Sequence, residues 1–405
     1  MRLQANKHKS ITGVRVLGMG FTFDDADGDD IATRIDEMNR LIKKNPRNSE
    51  RIFPFIGGEE INNSPTLHPR RYIINFEDWP LKRADLGSRW CDADEDIRKT
   101  WFRSGKVPND YPFPVAADYP DLLEVVERKV KPERDRDNRA SRRLNWWKYG
   151  EVAPGFFEVM RSLDRVLAAC QVSSYIGLVF VPSGWVLPHT VNIFAYNQYG
   201  PFAVLQSRIH EVWARFFGSS MKDDLRYTAT DCFETFPFPM DFEGSAALES
   251  TGRRYYEFRA ALMARKAEGL TAMNHRFNAP DEREADIREL RDFHAAMDRA
   301  VLDAYGWTDV ESRCEFILDY EDDESDEGEQ RRRRKPWRYR WPDEIRDEVL
   351  ARLLELNRQR ALGESVAGEG RTSVARAKPS RGKSRKGKAA VEPSRVPGLL
   401  SEEKP

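Results

Sequence analysis

The stretch Gly218 to Pro239, GSSMKDDLRYTATDCFETFPFP, decides how this chain is read, because it follows an amphipathic aromatic segment and closes in an aromatic and proline run. Immediately upstream, Phe202 to Phe217 carries Val204, Leu205, Ile209, Val212, Trp213 and Phe216 at helical intervals. That spacing predicts one helix, with Gly218 ending it as a C-terminal cap. Further upstream, between Arg165 and Ala195, the runs VLAACQV, IGLVFVP, WVLP and VNIFA are split by Ser173-Ser174, Pro182-Ser183-Gly184 and Pro188. Short apolar runs between turn residues predict a small sheet of short strands, sharing a core with the helix.

Downstream of Asp241 the sequence turns charged and helical. Helices are predicted over about Ala246 to Glu268, stopped by Gly269, and Glu282 to Tyr305, stopped by Gly306. A last helix between Pro342 and Arg360 starts at WPDE, with proline and acids in the first turn, where the dipole favours them. Asp319 to Glu329 holds eight carboxylates and is followed by five basic residues, Arg331 to Lys335, which reads as an exposed loop. From Gly363 the chain is poor in large apolar residues and rich in Ser, Gly, Lys and Arg, so disorder is expected there.

Towards the N-terminus, Val14 to Phe23 reads as a strand. Ile31, Ile35, Met38, Leu41 and Ile42 then form a helical face behind Asp27, Asp29 and Asp30, ending near Asn45-Pro46. Arg71 to Phe76 has strand composition, whereas Asp85 to Pro120, interrupted by Pro108, Pro112 and Pro114, reads as an irregular surface insertion. Leu122, Leu123, Val126 and Val130 share one helical face, which leaves Arg128 and Lys129 beside it.

The 405 residues suffice for two folded units and a loose tail, and 40% apolar content supports a packed body. A net charge of −1 conceals strong local segregation. Cys91, Cys170, Cys232 and Cys314 lie too far apart in sequence for a zinc motif or a dense disulfide framework, so a reducing cytoplasm is the simplest compartment. No apolar run is long enough to span a bilayer, and no export signal is visible.

Two sets of residues carry candidate chemistry. The first is a basic strip, Arg128, Lys129, Lys131, Arg134, Arg136, Arg139, Arg142, Arg143 and Lys148, ending beside Trp146, Trp147 and Tyr149. Guanidinium and ammonium groups on reachable side chains suit phosphates. The alternative is a solvated helix and loop whose charges are cancelled internally by Glu127, Glu133, Asp135 and Asp137. The second set, Arg165, Ser173, Ser174, Lys222, Arg226 and Tyr227, falls at strand ends and in the loop after the aromatic helix. Arginine there can reach guanine O6 and N7, and hydroxyls can reach phosphates or base edges. Equally, Arg165 or Arg226 can hold Asp224 or Asp231 inside the fold.

Three enzyme-like signals fail on geometry or spacing. Gly18-Met19-Gly20 lacks the third glycine of a dinucleotide turn, and Phe21-Thr22-Phe23 continues as strand. Glu127-Arg128-Lys129 after Pro120-Asp121 fits a nuclease pattern on paper, but helical periodicity turns residues two apart to opposite sides. The six histidines have no metal-ligand spacing. Gly57-Gly58 reads as a tight turn without a ligand. The tail Gly370 to Arg395, with nine basic residues and one acid, is either a nonspecific DNA arm or a solubilising tail.

The Gly218 to Pro239 block resembles the end of a target-recognition domain in the MmeI-like group of type II restriction-modification enzymes, which are N6-adenine methyltransferases. The resemblance runs from about Leu3 to about Arg360. It includes VLGMGFTF (Val16 to Phe23), RIFPFIGGEEINNSPTLHPRRYIINFEDWP (Arg51 to Pro80), VVERKVKPERDR (Val125 to Arg136), NWWKYG (Asn145 to Gly150), LDRVLAACQVS (Leu163 to Ser173) and FHAAMDRAVLDAYGW (Phe293 to Trp307). No Asn-Pro-Pro-Tyr or Asn-Pro-Pro-Phe, the tetrapeptide that holds the target adenine in that family, occurs here.

The resemblance implies an α+β chain: a mixed small-sheet target-recognition domain, an α-helical C-terminal domain and a disordered basic tail. The expected division is 1–50 as a strand-plus-helix remnant of the linker that follows the family's methyltransferase, 51–240 as the reader with its insertion at 85–120, 241–362 as the helical domain, and 363–405 as the tail. It implies binding to double-stranded DNA beside a methyltransferase or nuclease partner polypeptide. S-adenosylmethionine belongs to that parent enzyme or partner, with no cofactor and no catalytic residue in this chain. Two alternatives stand beside this reading: a self-sufficient methyltransferase with an unrecognised donor site, and a nonfunctional remnant or scaffold.

Overall fold

The computed structural model describes residues 1–376 except 152, 222–223 and 319–336. The fold is α+β. Its centre is a four-stranded antiparallel sheet in the order Ser10–Thr12, Val191–Phe194, Arg165–Cys170, Val179–Pro182. Ile193 lies opposite Ala168, and Val166 opposite Val181. Val166 to Ala169 and Val191 to Phe194 are buried on both faces, which is why they read as continuous apolar runs rather than alternating ones. Asn192, the polar residue in that run, donates Nδ2 to the Tyr227 carbonyl at 3.0 Å.

The aromatic segment upstream of Gly218 folds as two helices, Tyr199–Gln206 and Arg208–Phe217, in place of the single one predicted. Ser207 leaves helical geometry and its hydroxyl caps the second helix by accepting from the His210 amide. Beyond Gly218, Ser219–Met221 and Asp224–Arg226 form a hairpin that adds to Val172–Ser173 as a second, three-stranded sheet. Phe233, Phe236 and Phe238 then bury against Phe194, Tyr196 and Trp213. The quoted block therefore closes the core and carries a hairpin at its edge.

Expectations near the N-terminus are corrected in part. Most of Val14 to Phe23 is not strand: Val14 and Arg15 make isolated bridges to Pro188 and Glu151, Met19–Phe21 is a 3-10 turn, and Thr22–Phe23 pairs with Arg71–Ile74 in a sheet completed by Ile52–Phe55. Ser10–Thr12 joins the central sheet, and Leu3 and Asn6 bond to the carbonyls of Glu234, Phe233 and Phe236. Ile31 lies outside the helix, which spans Ile35–Lys44 and receives its cap from Asp25, whose carboxylate accepts from the Ile35 amide at 3.0 Å.

The insertion at 85–120 is not irregular. A helix, Glu95–Ser104, is capped by the Asp94 carboxylate and ended by Gly105, and Trp90, Trp101 and Phe102 pack on a small core of Val107, Tyr111 and Val115. Gly105 has φ +70°, and an added Cβ there would lie 2.3 Å from the Trp147 ring. Gly105→Ala is expected to cost about 1–3 kcal/mol through left-handed strain and overpacking. A thermal midpoint equal to that of the parent chain would show that the insertion is not seated on Trp147.

Beyond Asp241 the helices are Ala246–Lys266, Leu270–Asn278, Ala285–Ala304 and Asp343–Arg376. Leu270–Asn278 begins at Gly269, the residue predicted to stop the first helix; that helix ends at Ala267 in left-handed conformation. A hairpin, Glu315–Leu318 with Trp337–Arg340, has no counterpart in the elements predicted from sequence. The charged block at 319–335 and the chain beyond Arg376 lie outside the described residues. Residues 1–362 make one compact unit; of the second, 363–405, the described part is the end of the last helix, which continues past Gly363. Among the described residues no helix is long and apolar enough to cross a membrane.

Candidate nucleic-acid interface

Gln171 is the bend between the strand Arg165–Cys170 of the four-stranded sheet and the strand Val172–Ser173 of the three-stranded one. Its amide donates to the Thr190 carbonyl and its carbonyl accepts from the Tyr227 amide, each at 2.8 Å. Double pinning of the backbone fixes where the side chain starts. Gln171 lines an open cleft of about 370 Å³ with Asn62, Asn63, Val172, Thr190 and Thr271, and with one carboxylate, Glu59. The Asn62 wall is the helix Gly58–Asn63, capped by Glu60, whose carboxylate accepts from the Gly57 amide at 2.8 Å and pairs with Arg71 at 2.7 Å. Gly57-Gly58 thus starts a short helix instead of making a bare turn.

The opposite wall comes from the helical segment. Thr271 sits in the first turn of the helix Leu270–Asn278, and Gly269 lets that helix approach: a Cβ at 269 would stand 2.4 Å from the Asn63 backbone. Tyr175 also meets this helix, its hydroxyl 3.3 Å from His275 Nδ1. Amides and hydroxyls of this kind can pair with base edges, and glutamine or asparagine can bond adenine N6 and N7 together. Sequence reasoning missed Gln171, Thr190, Asn62 and Asn63. The available signal was a polar residue between two short strand runs, AAC-Gln171-VSS.

The second candidate set does not stay together. Ser173 and the exposed Arg226 sit beside the cleft, Arg226 being paired to Val172 in the three-stranded sheet. Ser174 donates its hydroxyl to Asp224 across the same edge. Arg165, at the other end of its strand, is about 17 Å away by strand rise. Its guanidinium lies 3.9 Å from the Phe180 ring centre and donates Nε to the Asn197 carbonyl at 3.0 Å. Tyr227 is only 5% exposed, with its hydroxyl 3.1 Å from His210 Nε2. Burial pushes that phenol far above its usual range. Arg165 and Tyr227 are thus held by the fold rather than offered to a partner. Lys222 lies outside the described residues.

The basic strip divides in the same way. Lys129 donates to the Asp30 carbonyl at 2.6 Å and Lys131 pairs with Glu127 at 3.7 Å. Arg142 lies 3.3 Å from Asp137 and 3.7 Å from Glu151. Arg134 is 3% exposed and Lys148 8% exposed, the latter bonded to Asp78 at 2.7 Å. Arg128 and Arg143 remain exposed, with Arg143 donating to the Asp137 carbonyl. Internal pairing, the bland reading, accounts for about half of the strip. Glu151 also pairs with Arg15, which follows Val14, and the Val14 carbonyl accepts from the His189 amide next to Thr190. Two ion pairs and one backbone bond therefore connect Arg142 to the cleft. Glu127, Arg128 and Lys129 lie on the helix Pro120–Lys129, the geometry that excludes the nuclease pattern.

Residues 122–240 match the family described as MmeI, target recognition domain. That segment of the chain is an MmeI-like target-recognition domain, and it contains Gln171, Thr190, Ser173 and Arg226. Among solved structures, the fold is similar to that of the Type IIL restriction-modification enzyme MmeI in complex with DNA, with TM-score 0.50 and 16% sequence identity, covering 87% of this chain and 35% of that one. The chain spans about a third of the length of that enzyme. No curated protein matches the sequence.

Proposed function

We propose that this chain is the sequence-reading part of a DNA restriction-modification system: it grips duplex DNA and presents a specific site to a methyltransferase or nuclease polypeptide that carries the chemistry. In this reading residues 51–240 form the reader, 241–362 its helical buttress and 1–50 a lead-in whose strand completes the reader sheet. The carrying observation is the polar cleft beside Gln171, whose backbone is pinned from both sides and which lies, with Cys170, Val172 and Thr190 of the same lining, inside the segment that matches a target-recognition family. Gln171, Thr190 and Arg226 would meet base edges, with Ser173 and Ser174 at the rim. Arg128, Lys129, Lys131, Arg142 and Arg143 would meet phosphates, those with carboxylate partners exchanging them for the duplex. S-adenosylmethionine would be held by the partner.

The test is duplex affinity measured by fluorescence anisotropy across a salt series. Binding should fall linearly on logarithmic axes by about 0.9 per phosphate contacted. A flat response would remove the phosphate contacts from the account. Gln171→Ala and Arg226→Ala are each expected to cost about 1–3 kcal/mol of discrimination between the preferred site and a single-base variant, with little change on random duplex. Arg143→Gln should instead weaken all duplexes alike and reduce the salt slope by about 1. Equal losses on all sequences for Gln171→Ala would place that residue outside base reading.

A further inference from the structure

Arg134 is an unusual side chain. It is 3% exposed, no carboxylate among the described residues lies within ion-pairing distance, its Nη2 donates to the Val16 carbonyl at 2.8 Å, and its buried Nε has no hydrogen-bond partner. Burial lowers its pKa, with nearby Glu133 and Asp137 opposing at a distance. An unpaired buried cation costs several kcal/mol, so it is tolerated where another anion answers it.

Arg134 lines a cleft of about 290 Å³ together with Arg103, Arg142 and Lys148. Four cationic side chains face one lining carboxylate, Asp78, which Lys148 already holds; Arg142 is held by Asp137 and Glu151. Arg103 is exposed and makes no ion pair among the described residues. Asn145 and Phe102 also line it, beside Ser141 and Tyr149. Arg103 and Phe102 come from the helix Glu95–Ser104 of the insertion, and Gly105 seats that helix on Trp147, the neighbour of Lys148. The insertion thus closes one side of the site. At about 30 Å³ per water, the volume holds roughly ten waters, more than a lone ion fills.

We propose that this cleft is a phosphate site, with Arg134 donating to a phosphate oxygen, Arg103 closing over it from the insertion, and the remaining room taking the attached sugar. The phosphate comes either from a strand of bound duplex, which rests on the function proposed above, or from a free nucleotide, which does not. Cationic side chains, one of them with an unanswered buried donor, are the shared chemistry of both sources.

The test starts with thermal unfolding of the full chain in increasing inorganic phosphate, with chloride at matched ionic strength as control. Ligand-linked stabilisation should raise the midpoint in the parent chain. It should be reduced in Arg103→Gln, a surface change that leaves the fold intact, and absent in Arg134→Met, whose apolar stem fills the same space. Adenosine 5′-monophosphate and a duplex salt series then separate the sources. A duplex salt slope shallower by about 0.9 in Arg103→Gln assigns the site to a DNA strand. Saturable mononucleotide binding that Arg103→Gln weakens, with an unchanged duplex slope, assigns it to a free nucleotide. Equal phosphate stabilisation of all three proteins, or none in the parent, overturns the site. Duplex binding that survives with an unaltered slope in that case leaves the reader function standing, whereas a phosphate shift without any duplex binding leaves the site standing alone.

Discussion

Arg208→Ala is expected to cost about 3–5 kcal/mol of folding stability, because it strips a buried carboxylate of its main partner. Asp298 is 0% exposed; its two oxygens accept from the Arg208 amide at 2.9 Å and from Arg208 Nη1 at 2.7 Å, with His294 at 3.1 Å. The rest of the Arg208 guanidinium donates to the Tyr339 carbonyl, at 2.8 Å from Nη2. One side chain therefore ties the reader helix Arg208–Phe217 to the helix Ala285–Ala304 and to the strand Trp337–Arg340. Burial pushes the Asp298 carboxyl up, but His294 and Arg208 outweigh it and leave the group below its usual value. The stability this contributes is present above the ordinary carboxylate pKa and is lost as pH falls through the folded value. The double variant Arg208→Met with Asp298→Leu should recover most of the loss, since neither charge is then stranded. Urea unfolding at constant m-value measures both. A cost below about 1 kcal/mol for Arg208→Ala would mean that water reaches the pair.

Acid should weaken the fold through His210 by about 3 kcal/mol between pH 6.5 and pH 4. Burial lowers the pKa of this imidazole from 6.5 to about 4, and every tenfold weakening of proton binding on folding is worth about 1.4 kcal/mol. The ring sits 2.9 Å from the Leu205 carbonyl through Nδ1 and 3.1 Å from the Tyr227 hydroxyl through Nε2. A carbonyl only accepts, so Nδ1 carries the proton and Nε2 accepts from tyrosine. A second proton would face the tyrosine hydroxyl in a dry site. The unfolded chain binds that proton near pH 6.5 and the folded chain only near pH 4, so stability is full above 6.5 and declines down to about 4. His210→Gln should remove about one proton from the slope of stability against pH over that window. Parallel acid limbs for parent and variant would show that another group carries the effect.

Legibility in the sequence followed the length of the apolar pattern. The central strands were readable because Val166 to Ala169 and, Asn192 apart, Val191 to Phe194 are apolar runs between turns. The helix break at Ser207 was not, since apolar spacing continues through it and only a serine marks the new N-terminus. Ser10–Thr12 is three residues long and pairs with a strand about 180 positions away, which leaves no local trace. Glu315–Leu318 and Trp337–Arg340 are separated by residues 319–336, too long a connection to read as a hairpin. In the insertion, the prolines masked a helix whose caps, Asp94 and Gly105, were visible.

At the site, residue type alone could not separate a cation offered to a ligand from one spent inside the fold. Arg165 lies on Phe180 and Tyr199, Lys148 pairs with Asp78, and Arg226 is exposed, yet all three look alike in sequence. Gln171 escaped notice because its backbone is held by Thr190 and Tyr227, residues distant in sequence that only the folded chain brings to its two sides. In sequence Arg134 is one more cation of the strip, and its burial is what turns it into the centre of a separate cleft.

Sequence reading by the full chain can be measured directly by selecting bound duplexes from a random pool over successive rounds and sequencing the survivors. The account predicts convergence on one short motif, with Gln171→Ala and Arg226→Ala each relaxing particular positions of it. A pool that stays random through every round, while the protein remains folded, would contradict the claim that this chain recognises a DNA site.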